Sequence, residues 1–261
     1  MAMTRVGLIG YGAIGAIVHA VLRAGEVPGT EAAGILTRSG DSPQALDSVE
    51  ALAEASDLVV EAAGHDALRA HGPAVVASGV DLLVVSVGAL TDDALHDRLR
   101  GAGQGRLLLS AGALGGLDLL GAARLAGPFE RVALRTTKPP AVLARPWMDE
   151  RVRARLERGD ERVVVFGGPA REAARAFPES VNVAATLALA TVGLDALEVE
   201  VVADPDADLV EHLVTVEAAA GAYEFRIRNR PSPENPRTSA VTAYSVLRAL
   251  QARHAPEVVG A

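Results

Sequence analysis

The sequence predicts an α/β domain on a parallel sheet, followed by a smaller α+β domain. Three observations support this. Up to about residue 110, short Val- and Leu-rich runs alternate with Ala-rich helical stretches at the spacing of βαβ units. Most of those runs end in a turn of small residues, and open α/β sheets bind ligands at that carboxyl rim. Beyond about residue 120 the alternation gives way to longer strands with hairpin-like returns.

In chain order, strands are expected at 5–9, 32–36, 58–61, 82–86 and 106–110. Helices are expected between them at 15–24, 47–53, 67–78 and 92–102. The rim turns are Gly10-Tyr11-Gly12, Ala62-Ala63-Gly64, Val87-Gly88-Ala89 and Ala111-Gly112-Ala113. In the second half, a strand at 131–137 runs into Lys138-Pro139-Pro140, and a charged helix is expected at 148–158. A strand at 162–166, helices at 169–176 and 183–192, and strands at 198–203, 210–216 and 222–229 follow. The proline-rich stretch 230–236 reads as a rigid loop, and Thr238 or Ser239 is placed to cap a last helix at 240–253. The expected domains are therefore 1–118 and 119–237, with the helix in 238–261 returning to the first.

The 261 residues suffice to bury a substantial core, and Gly and Ala enrichment suits close helix-on-sheet packing. A net charge of −8 argues against nucleic acid as a partner, since that binding replaces counterions with a basic face. The chain has no cysteine, which excludes thiolate catalysis, and no His, Asp and Glu cluster has ligand spacing, so no metal site is expected. Glycines interrupt the apolar start of the chain, and the apolar stretch 183–194 is far short of the ~20 residues of a membrane span. A soluble, cytoplasmic protein with no membrane partner is the expectation.

Gly10-Tyr11-Gly12-Ala13-Ile14-Gly15 is a G-x-G-x-x-G run that follows a strand, opens a helix and lies inside a βαβ unit. The first glycine permits the tight turn, the second lets a pyrophosphate approach, and the third packs helix against strand. A Rossmann-type dinucleotide-binding domain with NAD or NADP as cofactor is the resulting expectation. At the tip of the second strand, Leu36-Thr37-Arg38-Ser39 has no acid for a ribose 2′-hydroxyl. Arg38 there suits a 2′-phosphate, or is a solvated turn residue.

The chain as a whole resembles the L-aspartate dehydrogenase family. The resemblance is carried by Ser86-Val87-Gly88-Ala89-Leu90, by 110–118 (Ser-Ala-Gly-Ala-Leu-Gly-Gly-Leu-Asp), and by Lys138-Pro139-Pro140. It continues through Phe177-Pro178 with 182–186 (Asn-Val-Ala-Ala-Thr), Ala203-Asp204-Pro205 followed by His212, and 231–236 (Pro-Ser-Pro-Glu-Asn-Pro) with Thr238-Ser239. Such a resemblance implies oxidation of L-aspartate with NAD or NADP to iminoaspartate, which hydrolyses to oxaloacetate and ammonia and can supply NAD biosynthesis. It also implies a homodimer of a Rossmann domain and an α+β substrate and dimerisation domain. Two positions depart from the family pattern: Thr137 where arginine is usual, and Glu211 or a neighbour where asparagine is usual.

By pattern alone His212 is a half-buried strand histidine; the resemblance makes it the catalytic one. Asn182 reads as a helix N-cap, and by resemblance contacts the nicotinamide end of the cofactor, with Ala113 and Gly115 opposite. Cofactor contacts are further expected at Ala63, Val87 and Gly88. Lys138, held by two prolines, is an exposed lysine or the cation for a dicarboxylate. Thr238 and Ser239 either cap the last helix or bind a substrate carboxylate. His65, behind the third strand's turn, either approaches the cofactor or merely opens a helix; the other four histidines read as solvated or structural. Two rival functions share this plan: a dehydrogenase of another amino acid or imine, and a dinucleotide sensor without catalysis.

Overall fold

The computed structural model describes residues 3–177, 181–235 and 238–258. Its backbone contacts divide the chain into two compact units, Met1–Gly112 with Val241–Ala261, and Ala113–Ala240.

In the first unit, five strands alternate with helices: β1 (Thr4–Ile9), α1 (Ala13–Arg23), β2 (Thr30–Leu36), α2 (Val49–Ala55), β3 (Leu58–Glu61), α3 (His65–Ala77), β4 (Asp81–Val84), α4 (Asp93–Arg100) and β5 (Leu107–Leu109). All neighbours pair in parallel, in the order β2-β1-β3-β4-β5. The order reverses between β1 and β3, so the glycine loop after β1 and the Ala62-Ala63-Gly64 turn after β3 flank the topological switch point. Every residue of β3 is buried, as expected of a central parallel strand covered on both faces. Ser48 caps α2 by accepting from the Ala51 amide at 3.1 Å, and Asp92 caps α4 by accepting from Leu95 at 3.3 Å. Pro73 lies inside α3 and has no amide to give the carbonyl of Arg69, four residues earlier. Arg98 donates to that carbonyl at 3.0 Å instead.

The last helix, α9 (Val241–Ala252), belongs to this unit. Its Ala243, Val246, Leu247 and Leu250 join Val18 and Leu22 of α1 and Val6 and Leu8 of β1 in one apolar cluster. Ser245 meets Ser110 at 3.2 Å, and His254 meets Thr4 at 2.7 Å, a structural role for that histidine.

The second unit runs through α5 (Leu117–Ala126), β6 (Phe129–Lys138), α6 (Glu150–Arg158), β7 (Val163–Pro169), α7 (Ala170–Ala176), α8 (Val181–Ala190) and β8 (Glu198–Ala203) to its last two strands. With β9 (Val210–Ala218) and β10 (Gly221–Asn229) the strands form a mixed sheet, β10-β9-β6-β8-β7. Only β6 and β8 run parallel. One face carries Val132, Leu134, Val199, Val201, Val214 and Val216, all buried. The other carries the ion pairs Arg131–Glu198, Arg135–Glu200 and Arg228–Asp208.

Helix α5 was not anticipated from the sequence. Its apolar residues do not keep to one face: Leu120 and Ala123 are buried, while Leu119 is 42% and Leu125 91% exposed. Gly121 inside it lowers helix propensity further. Packing fixes it instead. Gly116, at φ +79°, caps it where any Cβ would strike the Phe225 ring at 2.4 Å, and Arg124 donates to the Thr191 carbonyl. The fourth strand also ends earlier than expected, because Val87–Thr91 winds into a 3₁₀ turn.

Since Leu250 is fully buried between α9 and the sheet unit, Leu250→Ala is expected to cost about 2–5 kcal/mol. Urea denaturation measures this; a loss under about 0.5 kcal/mol, the size of an ordinary surface change, would show that α9 is not part of this core.

Candidate active site

The glycine loop has the shape that a pyrophosphate requires. Gly10 adopts φ +99°, and a Cβ there would meet Ala63 and the Ala62 carbonyl at 2.8–2.9 Å. A Cβ on Gly15 would lie 2.3 Å from the Gly10 carbonyl, so the third glycine seats α1 against the loop. Gly12, in contrast, faces open space: a Cβ would meet nothing within 4 Å. That opening lies at the amino end of α1, beside the half-buried Tyr11, Ala13 and Ile14, where the first helical amides have no intrahelical acceptor. These residues fit a dinucleotide.

Glu61, missed by sequence reasoning, organises the rim next to this loop. It ends β3 with 0% exposure, and its carboxyl accepts from the amides of Ala63 (2.8 Å) and Gly64 (2.9 Å). It also accepts from the Ser86 hydroxyl (3.0 Å) and amide (3.1 Å). One side chain thus ties the turn after β3 to the turn after β4, which contains the buried Val87 and Gly88. A lone acid closing the run Leu58-Val59-Val60 was the available signal, because a carboxyl buried in a sheet has to be satisfied by donors. His65 begins α3 just behind Gly64.

At the tip of β2 the Gly10 amide donates to the Leu36 carbonyl at 2.9 Å, binding the glycine loop to the residues that follow. There Thr37 accepts from the Gly40 amide at 3.1 Å, and Arg38 is exposed. Among the described residues no carboxylate forms an ion pair with Arg38. His19, in contrast, is buried at 3.1 Å from the Gln44 side chain and stacks edge-on with Tyr11, which is a structural role.

In the second unit, strand register assembles the remaining candidates. His212 on β9 lies directly opposite Thr136 on β6, and its Nδ1 is 3.1 Å from the Thr136 hydroxyl. Two residues further along the same face of β6 stands Lys138. His212 is 6% exposed; burial and, secondarily, the Lys138 charge push its pKa down to about 4. Lys138 is itself pushed down to about 8 by burial and by the charge of Arg145. The imidazole is therefore neutral near pH 7. Lys138 and Thr136 line a narrow crevice of about 20 Å³ with Leu134, Phe177 and residues of α7 and α8. Thr136 and Arg145 were not picked out from the sequence: one depends on cross-strand register, the other on how a loop folds.

Both departures from the family pattern fall on the opposite face. Thr137 and Glu211 are register partners, and they line a charged groove of about 290 Å³ together with Arg135, Arg226 and Arg228. They leave the His212 and Lys138 face untouched.

Asn182 does not cap α8, as its sequence position suggested; it is the second residue of the helix, and it is exposed. Ala113 precedes the Gly115-Gly116 turn, where its carbonyl accepts from Asn229 of β10 at 3.1 Å. Ser239 does not cap α9 either, because its buried hydroxyl has no hydrogen-bond partner. Its backbone bridges Pro231, and the Thr238 carbonyl accepts from the Ser232 amide at 2.7 Å, which closes the proline-rich loop. Pro178 and Pro236 lie outside the described residues.

Residues 118–253 match the family described as aspartate dehydrogenase, C-terminal, and residues 10–105 match the NAD binding domain of homoserine dehydrogenase. The chain is 42% identical over 265 residues to an L-aspartate dehydrogenase of Ruegeria pomeroyi, covering 96% of this chain and 93% of that one. It is 40% identical over 266 residues to one from Pseudomonas aeruginosa, covering 95% and 97%. The crystal structure of aspartate dehydrogenase from Thermotoga maritima is similar at a TM-score of 0.77 and 27% identity, covering 98% and 99%. An archaeal homoserine dehydrogenase in complex with NADPH shares the fold at 0.59 and 10% identity, covering 97% and 99%. By full-length similarity and by its matched C-terminal region, the chain belongs to the L-aspartate dehydrogenase family.

Proposed function

We propose that this protein catalyses the reversible, NAD(P)-dependent oxidative deamination of L-aspartate to iminoaspartate, which hydrolyses to oxaloacetate and ammonia. The observation that carries this reading is the neutral, buried His212 beside the cation Lys138, in a chain of this family. The nicotinamide, when bound, supplies the hydride acceptor. Its pyrophosphate would be held by Gly10, Tyr11, Gly12, Ala13, Ile14 and Gly15. Ala63, Val87 and Gly88 would shape the rim, with Ala113, Gly115 and Asn182 toward the nicotinamide.

The remaining chemistry is proton transfer and positioning. A hydride leaves Cα only when the nitrogen lone pair can form the C=N bond, so the substrate ammonium first has to lose a proton. His212 takes it. The imidazolium releases that proton to solvent; after oxidation the neutral imidazole removes a proton from the water that attacks the imine carbon, and returns it to the nitrogen as ammonia departs. Lys138 holds a substrate carboxylate, and Thr238 and Ser239 add hydrogen bonds to it. A carboxylate beside Lys138 also offsets the smaller part of the His212 depression, the part that the Lys138 charge adds to burial, so substrate binding makes the base stronger. Overall, L-aspartate, water and oxidised cofactor give oxaloacetate, ammonia, reduced cofactor and a proton.

In this reading residues 1–118, with the helix in 238–261, form the dinucleotide-binding domain, and 119–237 the substrate and dimerisation domain. The protein works in the cytoplasm as a homodimer, and its iminoaspartate can enter NAD biosynthesis. No described helix is long and apolar enough to cross a membrane.

His212→Asn should keep the fold and the cofactor dissociation constant but lower turnover of L-aspartate by roughly 10²–10⁴-fold. Calorimetry and an absorbance assay at the nicotinamide band test this, and wild-type turnover in the variant would overturn the mechanism. Arg38→Asp is expected to weaken NADP selectively; equal losses for NAD and NADP would argue that Arg38 does not read the 2′-phosphate. Sedimentation at micromolar concentration should give twice the 26.9 kDa chain mass, and a single monomeric species would rule out the dimer.

A further inference from the structure

We propose that Glu61 is a positioning residue for the nicotinamide half of the cofactor: it sets the turn after β3 and the turn after β4 at the spacing this half requires. The placement follows from topology. The order of the parallel sheet reverses between β1 and β3, and a dinucleotide lies across such a point with one mononucleotide on each side. The tip of β2, which meets the ribose beside adenine, fixes the adenosine side. The nicotinamide side is then the rim at the ends of β3 and β4, where Glu61 is buried.

The ladder between β3 and β4 ends short of these two turns. It pairs Glu61 with Val84, and the Val85 amide donates to the Glu61 carbonyl at 3.0 Å. Past that point Gly64 turns into α3 at φ +113°, and Val87–Thr91 winds into its 3₁₀ turn. The side chain of Glu61 continues the connection. One carboxyl oxygen accepts from the Ala63 amide (2.8 Å), the Gly64 amide (2.9 Å) and the Ser86 hydroxyl (3.0 Å). The other accepts from the Ser86 amide (3.1 Å).

The strand itself has no need of a carboxyl. Leu58, Val59 and Val60 before it are buried and apolar, and a fourth such residue would complete the run. Burying a carboxyl instead costs solvation that only well-placed donors restore, and all four donors here belong to the two turns. Ala63 also packs against the glycine loop, where a Cβ on Gly10 would come within 2.8 Å of the Ala63 Cβ. Glycine loop, first turn and second turn thus form a connected series, and Glu61 joins the last two. Glutamine can replace only part of this link. Its carbonyl oxygen keeps the three donors that converge on one carboxyl oxygen, while its NH₂ faces the Ser86 amide, donor against donor. The turn after β3 stays held, and the turn after β4 loses its backbone anchor.

Calorimetry with whole and half cofactors tests the role without reading turnover. NAD is compared with ADP, and NADP with 2′,5′-ADP, each smaller probe lacking the nicotinamide half. Glu61→Gln should raise the dissociation constant of the better-bound cofactor roughly ten-fold, the scale of one buried hydrogen bond, and that of its half by less than about two-fold. Ser86→Ala, which removes only the hydroxyl donor, should act in the same direction with a smaller loss. The double variant should lose less than the product of the single losses, because the two side chains act as one clamp. Thermal midpoints check folding, and if Glu61→Gln does not fold, the same comparison on Ser86→Ala decides. Equal losses for whole and half cofactor would make Glu61 a structural residue of the entire rim and overturn the inference. Wild-type affinities in every variant that folds would overturn it as well. The role requires the cofactor and not the substrate: a selective loss in a protein that does not oxidise L-aspartate would leave it standing while the proposed reaction falls.

Discussion

The constraint on which the second unit depends is the burial of basic groups, side by side, on the covered face of its sheet. His212 and Lys138 share that face; burial lowers the pKa of each, and a neighbouring positive charge adds to it, Lys138 for His212 and the loop residue Arg145 for Lys138. The consequences have definite signs. Folding lowers His212 from 6.5 to about 4, so between those values the unfolded chain binds a proton that the folded chain refuses. The fold therefore loses stability as pH falls through that window. Lys138, lowered from 10.5 to about 8, contributes a loss in the same direction as pH falls from about 10.5 toward 8.

In the first unit a buried acid plays the matching role. Glu61 accepts four hydrogen bonds and fixes two turns at the carboxyl rim, next to a loop in which neither Gly10 nor Gly15 has room for a Cβ. A carboxyl buried beneath a dinucleotide-binding rim is tolerated because backbone amides and a hydroxyl satisfy it.

Much of this was legible in the sequence. Four of the five parallel strands, β2 excepted, announced themselves by runs rich in Val, Leu and Ile, and the glycine run by its place between a strand and a helix. Pattern could not decide between a structural and a functional His212, because a half-buried strand histidine and a base share one spacing; nor could it show the strand register that sets its Nδ1 against the Thr136 hydroxyl. Helix α5 escaped because its apolar residues surround it and a glycine interrupts it. Asn182 and Ser239 were misplaced as caps for a common reason: helix boundaries shift by a residue or two, and a cap is defined by a single position. Arg145 was hidden because its neighbours are brought to it by the folding of a loop around Phe177.

The most direct test of the central claim is the titration of the His212 imidazole by NMR, assigned by difference against His212→Asn, with and without saturating succinate. We expect the free protein to keep this ring neutral to well below pH 6.5, with a midpoint near 4, and succinate to move the midpoint upward. A midpoint near 6.5 in the free protein, unmoved by succinate, would contradict it.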